Sequence, residues 1–144
     1  MHFVLEYYEN LAYIGNIFDE YEEQQILLMG DFNSDLERGR RFDIMLKDFI
    51  HEMKLTCLEY DFHNIHFTYT NNHYKSHIDH VIGNEKVRIN TIKCHILDDL
   101  INLSDHNPIH TIIQMNGIRL NEVKNVDEKI FYKFPWSSSE FVDR

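Results

Sequence analysis

Gln25-Ile26-Leu27-Leu28-Met29-Gly30-Asp31-Phe32-Asn33 is a short apolar run that stops at a glycine, followed at once by a carboxylate and an amide. A continuous apolar stretch bounded by a turn signal has the pattern of a buried strand. Asp31 and Asn33 then fall just past the strand end, where a rigid scaffold holds a side chain toward a cleft. A carboxylate there suits general-base or metal work, and a neutral amide can hold a phosphate oxygen or a water. The same residues also fit an Asx-type turn, for which Gly-Asp and Asn-Ser are common.

Upstream of this strand, Val4, Tyr8, Leu11, Ile14 or Gly15, Phe18 and Tyr21 recur at helical spacing and predict an amphipathic helix over the first twenty-odd residues. The acidic cluster Asp19, Glu20, Glu22 and Glu23 reads as its solvated end. Downstream, Asp31 to Arg41 is polar loop. Phe42, Met45, Leu46, Phe49, Ile50 and Met53 then line one face of a second helix. From Leu55 the period shortens. Residues 55–58, 67–69, 78–82, 87–96 and 109–115 read as strands. Asn71-Asn72 marks a hairpin tip near Thr70 to Lys75, and Gly83-Asn84 marks a further turn.

Two more places carry chemistry-bearing residues. Asp79 sits inside the apolar strand Ile78 to Ile82, where Asp is disfavoured and an unpaired buried carboxylate is costly, so it calls for a partner such as a His or a metal. Ser104-Asp105-His106-Asn107-Pro108 precedes the last strand. Adjacent Asp105 and His106 on an extended segment point to opposite faces and pair poorly with each other, which leaves His106 available to Asp79. Each place also has a plainer reading, an edge-strand Asp facing water or a loop Asp beside a surface His. Histidines are abundant, ten in all. His63, His66, His73, His77 and His80 lie in strands and loops without a Cys pair, and in a strand His77 and His80 would face opposite ways. Zinc is therefore not expected, and these read as surface or hairpin histidines.

The chain has 144 residues, enough for one domain with a real core, and a formal charge of −10. That acidity weighs against a sequence-blind nucleic-acid binder, which holds phosphates with Lys and Arg clusters. It is compatible with metal-binding carboxylates. Cys57 and Cys94 are too few for a disulfide scaffold and read as buried free thiols. The start has neither a basic n-region nor a cleavage site, and no apolar run approaches membrane-spanning length. The expectation is an intracellular protein, nuclear or cytoplasmic, with no membrane partner.

Gly30-Asp31-Phe32-Asn33, then Ser76-x-Ile78-Asp79-His80, then Ser104-Asp105-His106-x-Pro108, in that order, resemble the last three signature motifs of the endonuclease/exonuclease/phosphatase superfamily. The stretch from Phe67-Thr68-Tyr69 to His80-Val81-Ile82-Gly83 is most similar to the endonuclease domain of non-LTR retrotransposons. The resemblance covers about residues 1–115 and implies an α/β fold: the C-terminal half of a four-layer αββα sandwich, with a mostly antiparallel sheet and two flanking helices. It implies hydrolysis of a phosphodiester with Mg²⁺ (or Mn²⁺), and DNA as partner. By the same resemblance Asp31 would position or deprotonate the attacking water, and Asn33 would help hold the scissile phosphate. Asp79 would orient His106, His106 would stabilise charge on the phosphate oxygens, and Asp105 would lie at the metal side. Thr68 and Ser76 would approach the DNA backbone, with the hairpin Thr70 to Lys75 probing the groove.

The pattern also departs from that family. Its first half, with an early Asn and a metal-binding Glu, has no counterpart here. Glu6, Glu9, Glu20, Glu22 and Glu23 lie on the polar side of the first helix. The resemblance therefore implies a truncated centre with little activity alone and a sheet face left without its partner sheet, exposing an apolar patch. Residues 116–144 read as a polar tail, with Phe131, Tyr132, Phe134 and Trp136 in it, or as the start of a linker toward a reverse transcriptase. The alternatives are a phosphatase or phosphodiesterase with another substrate, and a non-catalytic relic or interaction module.

Overall fold

The computed structural model describes residues 2–62, 67–71, 73–97 and 102–114. The chain divides into two units, Met1–Gln114 and Met115–Arg144. The second unit, with the predicted tail and its aromatic cluster, lies outside the described residues, as do His63 and His66. The first unit runs α1 (His2–Glu20), β1 (Leu27–Asp31), α2 (Arg41–Glu52), β2 (Thr56–Cys57), α3 (Leu58–Asp61), β3 (Tyr69–Asn71), β4 (Tyr74–Ser76), β5 (Asp79–Gly83), α4 (Glu85–Asn90), β6 (Thr91–Ile96) and β7 (Ile109–Ile113). It is an α/β fold with antiparallel sheets. Among the described residues no helix is long and apolar enough to cross a membrane.

α1 forms where the spacing predicts it, but with its stripe shifted. The buried residues are Tyr7, Leu11, Ile14 and Phe18, whereas Tyr8 is 62 % exposed. Tyr7 wins the inward position because its ring packs on Phe42 and its hydroxyl hydrogen-bonds Ser34 Oγ at 2.8 Å. α2 buries Leu46 and Phe49 as its period requires, together with one residue the period does not suggest, Asp43. Gly15 of α1 lies against Phe49 and Met53, so the two helices approach closely there.

β5 is the central strand, antiparallel to β1 on one side and to β2 on the other. Directly opposed residues share a face. Asp31 with Asp79 and Met29 with Val81 stand on one face, Gly30 with His80 and Leu28 with Ile82 on the other. Val81 packs with Leu58, Val87 and Cys94, flanked by Phe62, Ile109 and Ile113, so α3, α4 and the β6–β7 hairpin cover its face. His80 and Ile82 on the opposite face are equally buried. The expected bare sheet face is thus confined to the edge, where Leu27 and Met29 remain 37 % and 53 % exposed.

The predicted strand over residues 87–96 is instead α4 followed by β6. Asn84 caps α4, its side chain accepting from Val87 N–H at 3.2 Å, and this local bond outweighs the β-propensity of Val87 and Ile89. Gly83 makes the turn possible, since a Cβ there would lie 2.8 Å from Val87 Cγ1. Similarly, β2 pairs for only two residues before the chain coils into α3.

The loop between β1 and α2 is built on charge. Arg38 clamps Asp43 with two bonds of 2.7 and 2.9 Å, and also donates to Tyr74 Oη, Ser76 Oγ and the Asn33 carbonyl. Asp43 accepts further from the N–H groups of Asp35 and Arg40. Asp35 in turn accepts from Ser76 Oγ and His77 N–H, joining the loop to the end of β4. Burial alone would raise both carboxyls, but these donors hold Asp35 and Asp43 below the usual range.

Two outcomes follow. Gly83→Ala should destabilise by about 1–3 kcal/mol, read from the urea midpoint, because buried, β-branched Val87 cannot yield. Asp35 and Asp43 have folded pKa values below unfolded ones, so their contribution is complete above about pH 4 and disappears as pH falls through the folded values. Urea midpoints measured downward from pH 5 should therefore drop, and drop less steeply in Asp43→Asn.

Candidate active site

β1 and β5 end together, and their register sets Asp31 directly across from Asp79. Like charges so placed repel. A third group answers them: His106 Nδ1 lies 2.9 Å from Asp79 Oδ2, and one ligand atom from each of Asp31, Asp79 and His106 falls within 4.8 Å of the others. With Asp79 ionised, Nδ1 carries the proton and donates it to the carboxylate. Burial lowers the imidazole's affinity for a proton, but the Asp79 hydrogen bond and the charges of Asp79, Asp31 and Asp105 outweigh this and raise it. Asp31 is also raised, chiefly by burial, with Asp79 adding to it, against the Asn33 N–H bond and the nearby histidines. An open cleft of about 510 Å³ runs beside the pair, between Met29, Val81 and the 102–109 segment.

The 102–107 segment reaches this position through its own hydrogen bonds. Asn102 donates to the His106 carbonyl at 2.7 Å and accepts from Ser104 N–H, while Ser104 Oγ accepts from His106 N–H. The Tyr69 ring lies 5.0 Å from the His106 ring and limits its swing. Thr68 joins the parts. Its hydroxyl accepts from the N–H groups of Ile78 (3.0 Å) and Asp79 (2.9 Å), its own N–H donates to Ser76 O, and its carbonyl accepts from Asn107 N–H at 2.6 Å. One threonine thus fixes the backbone beside both Asp79 and His106.

The remaining predicted residues lie around this centre. Asn33 adopts a left-handed conformation (φ 53°), and its N–H donates to Asp31 Oδ1 at 2.8 Å, so the Asx turn is present alongside whatever the amide does. The Asp105 side chain is exposed and outside the 4.8 Å group, though its charge reaches His106. Thr68 and Ser76 are 0 % and 3 % exposed, so both side chains brace the interior rather than present themselves at the surface. The β3–β4 hairpin forms with its tip at residues 71–74, Asn72 being outside the described residues.

Sequence reasoning missed a second cluster. Cys57, Glu59 and His80 converge behind β5, all buried. His77 is also buried, and its ring stacks on His80 at 5.0 Å and 12°. The expectation that these two histidines face opposite ways fails because β5 begins only at Asp79, so strand alternation does not govern His77. The short spacings Cys57-x-Glu59 and His77-x-x-His80 were the available signal.

Two apposed carboxylates are donors for a divalent cation, and their mutual repulsion is the burden a cation relieves. The residues present fit such an ion. The chain matches the Endonuclease/Exonuclease/phosphatase family over residues 10–106, and it belongs to that family. The family is metal-dependent, and its general chemistry is phosphodiesterase or nuclease activity. No curated protein matches the chain.

The Thr68 junction yields a direct test. Thr68→Val removes the acceptor for the Ile78 and Asp79 N–H groups, the first of them buried, and should cost about 1–3 kcal/mol in chemical denaturation, with Thr68→Ser recovering most of it. A Val variant as stable as the parent would show that the hydroxyl is dispensable.

Proposed function

We propose that the chain is a metal-dependent, DNA-nicking endonuclease of the retrotransposon type, built as the C-terminal half of a four-layer αββα sandwich and weakly active or inactive alone. The observation that supports this most is the 2.9 Å His106–Asp79 pair with Asp31 in the same 4.8 Å group. A protonated imidazole held by a carboxylate is poised to stabilise charge as it develops on phosphate oxygens. Asp79 orients His106 through Nδ1 and favours its protonated form. Asp31 positions or deprotonates the attacking water. Asn33 offers its amide to the scissile phosphate.

The Asp31 and Asp79 carboxylates would hold Mg²⁺ or Mn²⁺, with exposed Asp105 on the metal side of the centre, and the ion when bound would supply positive charge to the phosphate oxygens. DNA would reach the site along the β3–β4 hairpin, where Tyr74 and Lys75 are exposed. In this reading Thr68 and Ser76 serve DNA binding by anchoring that hairpin from beneath, Ser76 through Asp35 and Arg38.

The experiment is nicking of supercoiled plasmid with Mg²⁺. Asp31→Ala and His106→Ala should each lower the rate by roughly 10²- to 10⁴-fold. Turnover of a lipid head group with the plasmid left intact would replace DNA as substrate. A folded chain inert toward every phosphodiester offered would mark a non-catalytic module.

A further inference from the structure

The strand that carries Asp79 into the site carries His80 into a second cluster on its other face. Cys57 Sγ lies 3.0 Å from Glu59 Oε1 and 3.4 Å from His80 Nδ1, and Glu59 Oε1 lies 2.7 Å from His80 Nδ1. The fourth neighbour is His77, whose Nε2 is 3.4 Å from the same Glu59 oxygen but off the angle of a hydrogen bond. His77 is 6 % exposed, and neither of its ring nitrogens has a hydrogen-bond partner. Leaving a buried polar side chain unsatisfied is costly, so both nitrogens lack the partner that burial demands.

We propose that Cys57, Glu59, His80 and His77 form a structural zinc site, distinct from the Asp31–Asp79–His106 centre. The donor set of one thiolate, one carboxylate and two imidazoles is the borderline-soft mixture that zinc selects. Ligand bonds of about 2.0–2.3 Å set at tetrahedral angles separate donor atoms by roughly 3.3–3.7 Å. Among Cys57, Glu59 and His80 the observed separations, 2.7 to 3.4 Å, need only small expansion, whereas His77 lies outside their 4.8 Å group and approaches only the Glu59 oxygen, at 3.4 Å. Two imidazoles on one tetrahedral ion have ring centres roughly 5 Å apart, given metal–nitrogen bonds of about 2.0–2.1 Å. The His77 and His80 rings stand 5.0 Å apart but stacked at 12°, so His77 turns about its side-chain bonds to bring a nitrogen to the ion.

His80 also has the accompanying bond that metal-bound imidazoles use. Its Nε2 donates to the Ser34 carbonyl at 2.8 Å, which fixes the tautomer and leaves Nδ1 toward the cluster. Charge closes as well. Zn²⁺ with one thiolate, one carboxylate and two neutral imidazoles sums to zero, which burial favours. Binding requires Cys57 as the thiolate, so the Sγ proton is displaced, and it requires His80 Nδ1 free of a proton. All four residues are buried, with no open position for a substrate, so the site strengthens the fold rather than performing catalysis.

The test is titration of the metal-free 144-residue chain with Co²⁺, read by absorption. One equivalent should give tetrahedral ligand-field bands and a thiolate-to-cobalt charge-transfer band, both displaced by Zn²⁺. The charge-transfer band should disappear in Cys57→Ser and persist in Cys94→Ser and Asp31→Asn. With zinc at a hundredfold its dissociation constant, the melting temperature should rise by about 10 °C. The wild-type chain decides the matter even if Cys57→Ser fails to fold: no charge-transfer band at stoichiometric cobalt overturns the proposal. So does a band that survives Cys57→Ser or is lost in Cys94→Ser.

Discussion

A carboxylate with no access to water must have its oxygens satisfied by the protein, and Glu59 is 0 % exposed. Its Oε1 meets Cys57 Sγ and His80 Nδ1, and its Oε2 accepts from Val81 N–H at 3.0 Å. That last bond explains the early end of β2. Cys57 pairs with Ile82, and a longer strand would next bring a backbone carbonyl toward Val81. The chain turns into α3 instead, and Glu59 supplies the missing acceptor from a side chain. The surrounding donors hold its carboxyl down at about 2 even though burial pushes the other way, so it remains charged at the centre of the fold.

Strand alternation then does the sorting. Asp79 and His80 are neighbours in sequence, and the pleat sends them to opposite faces of β5. Asp79 joins Asp31 and His106 beside the cleft, while His80 joins Glu59 within the core. The two centres therefore share one backbone. Whatever holds His80 in place also fixes the register at which Asp79 meets Asp31, and Thr68 secures the same junction from the hairpin side.

Much of this was legible before the structure. The strand ending at Gly30-Asp31, both long helices and the pairing of Asp79 with His106 follow from period and from the cost of an unpaired carboxylate in an apolar strand. What stayed hidden depends on particular side-chain contacts, near or far in sequence, that no hydrophobic period encodes. Glu59 and Asp43 look like solvent-facing acids until His80 and Arg38 reach them. Tyr7 displaced Tyr8 from the inner face through one hydroxyl bond to Ser34, which no helical period encodes. Thr68 read as a surface residue because a hydroxyl is as suited to phosphate as to two backbone N–H groups. Residues 87–96 looked uniformly strand-like because the Asn84 cap acts at one end only, over a single turn.

The uncovered margin of β1 has a different consequence. Among the described residues its outer edge has no partner strand, and it displays Leu27 and Met29. No lysine, proline or bulge interrupts the five residues of that strand. Natural sheets ordinarily blunt such margins with those devices, because an open, apolar row of amides is a template onto which another chain can zip. Among the described residues this seam offers another chain a place to pair, independently of either cluster of ligands.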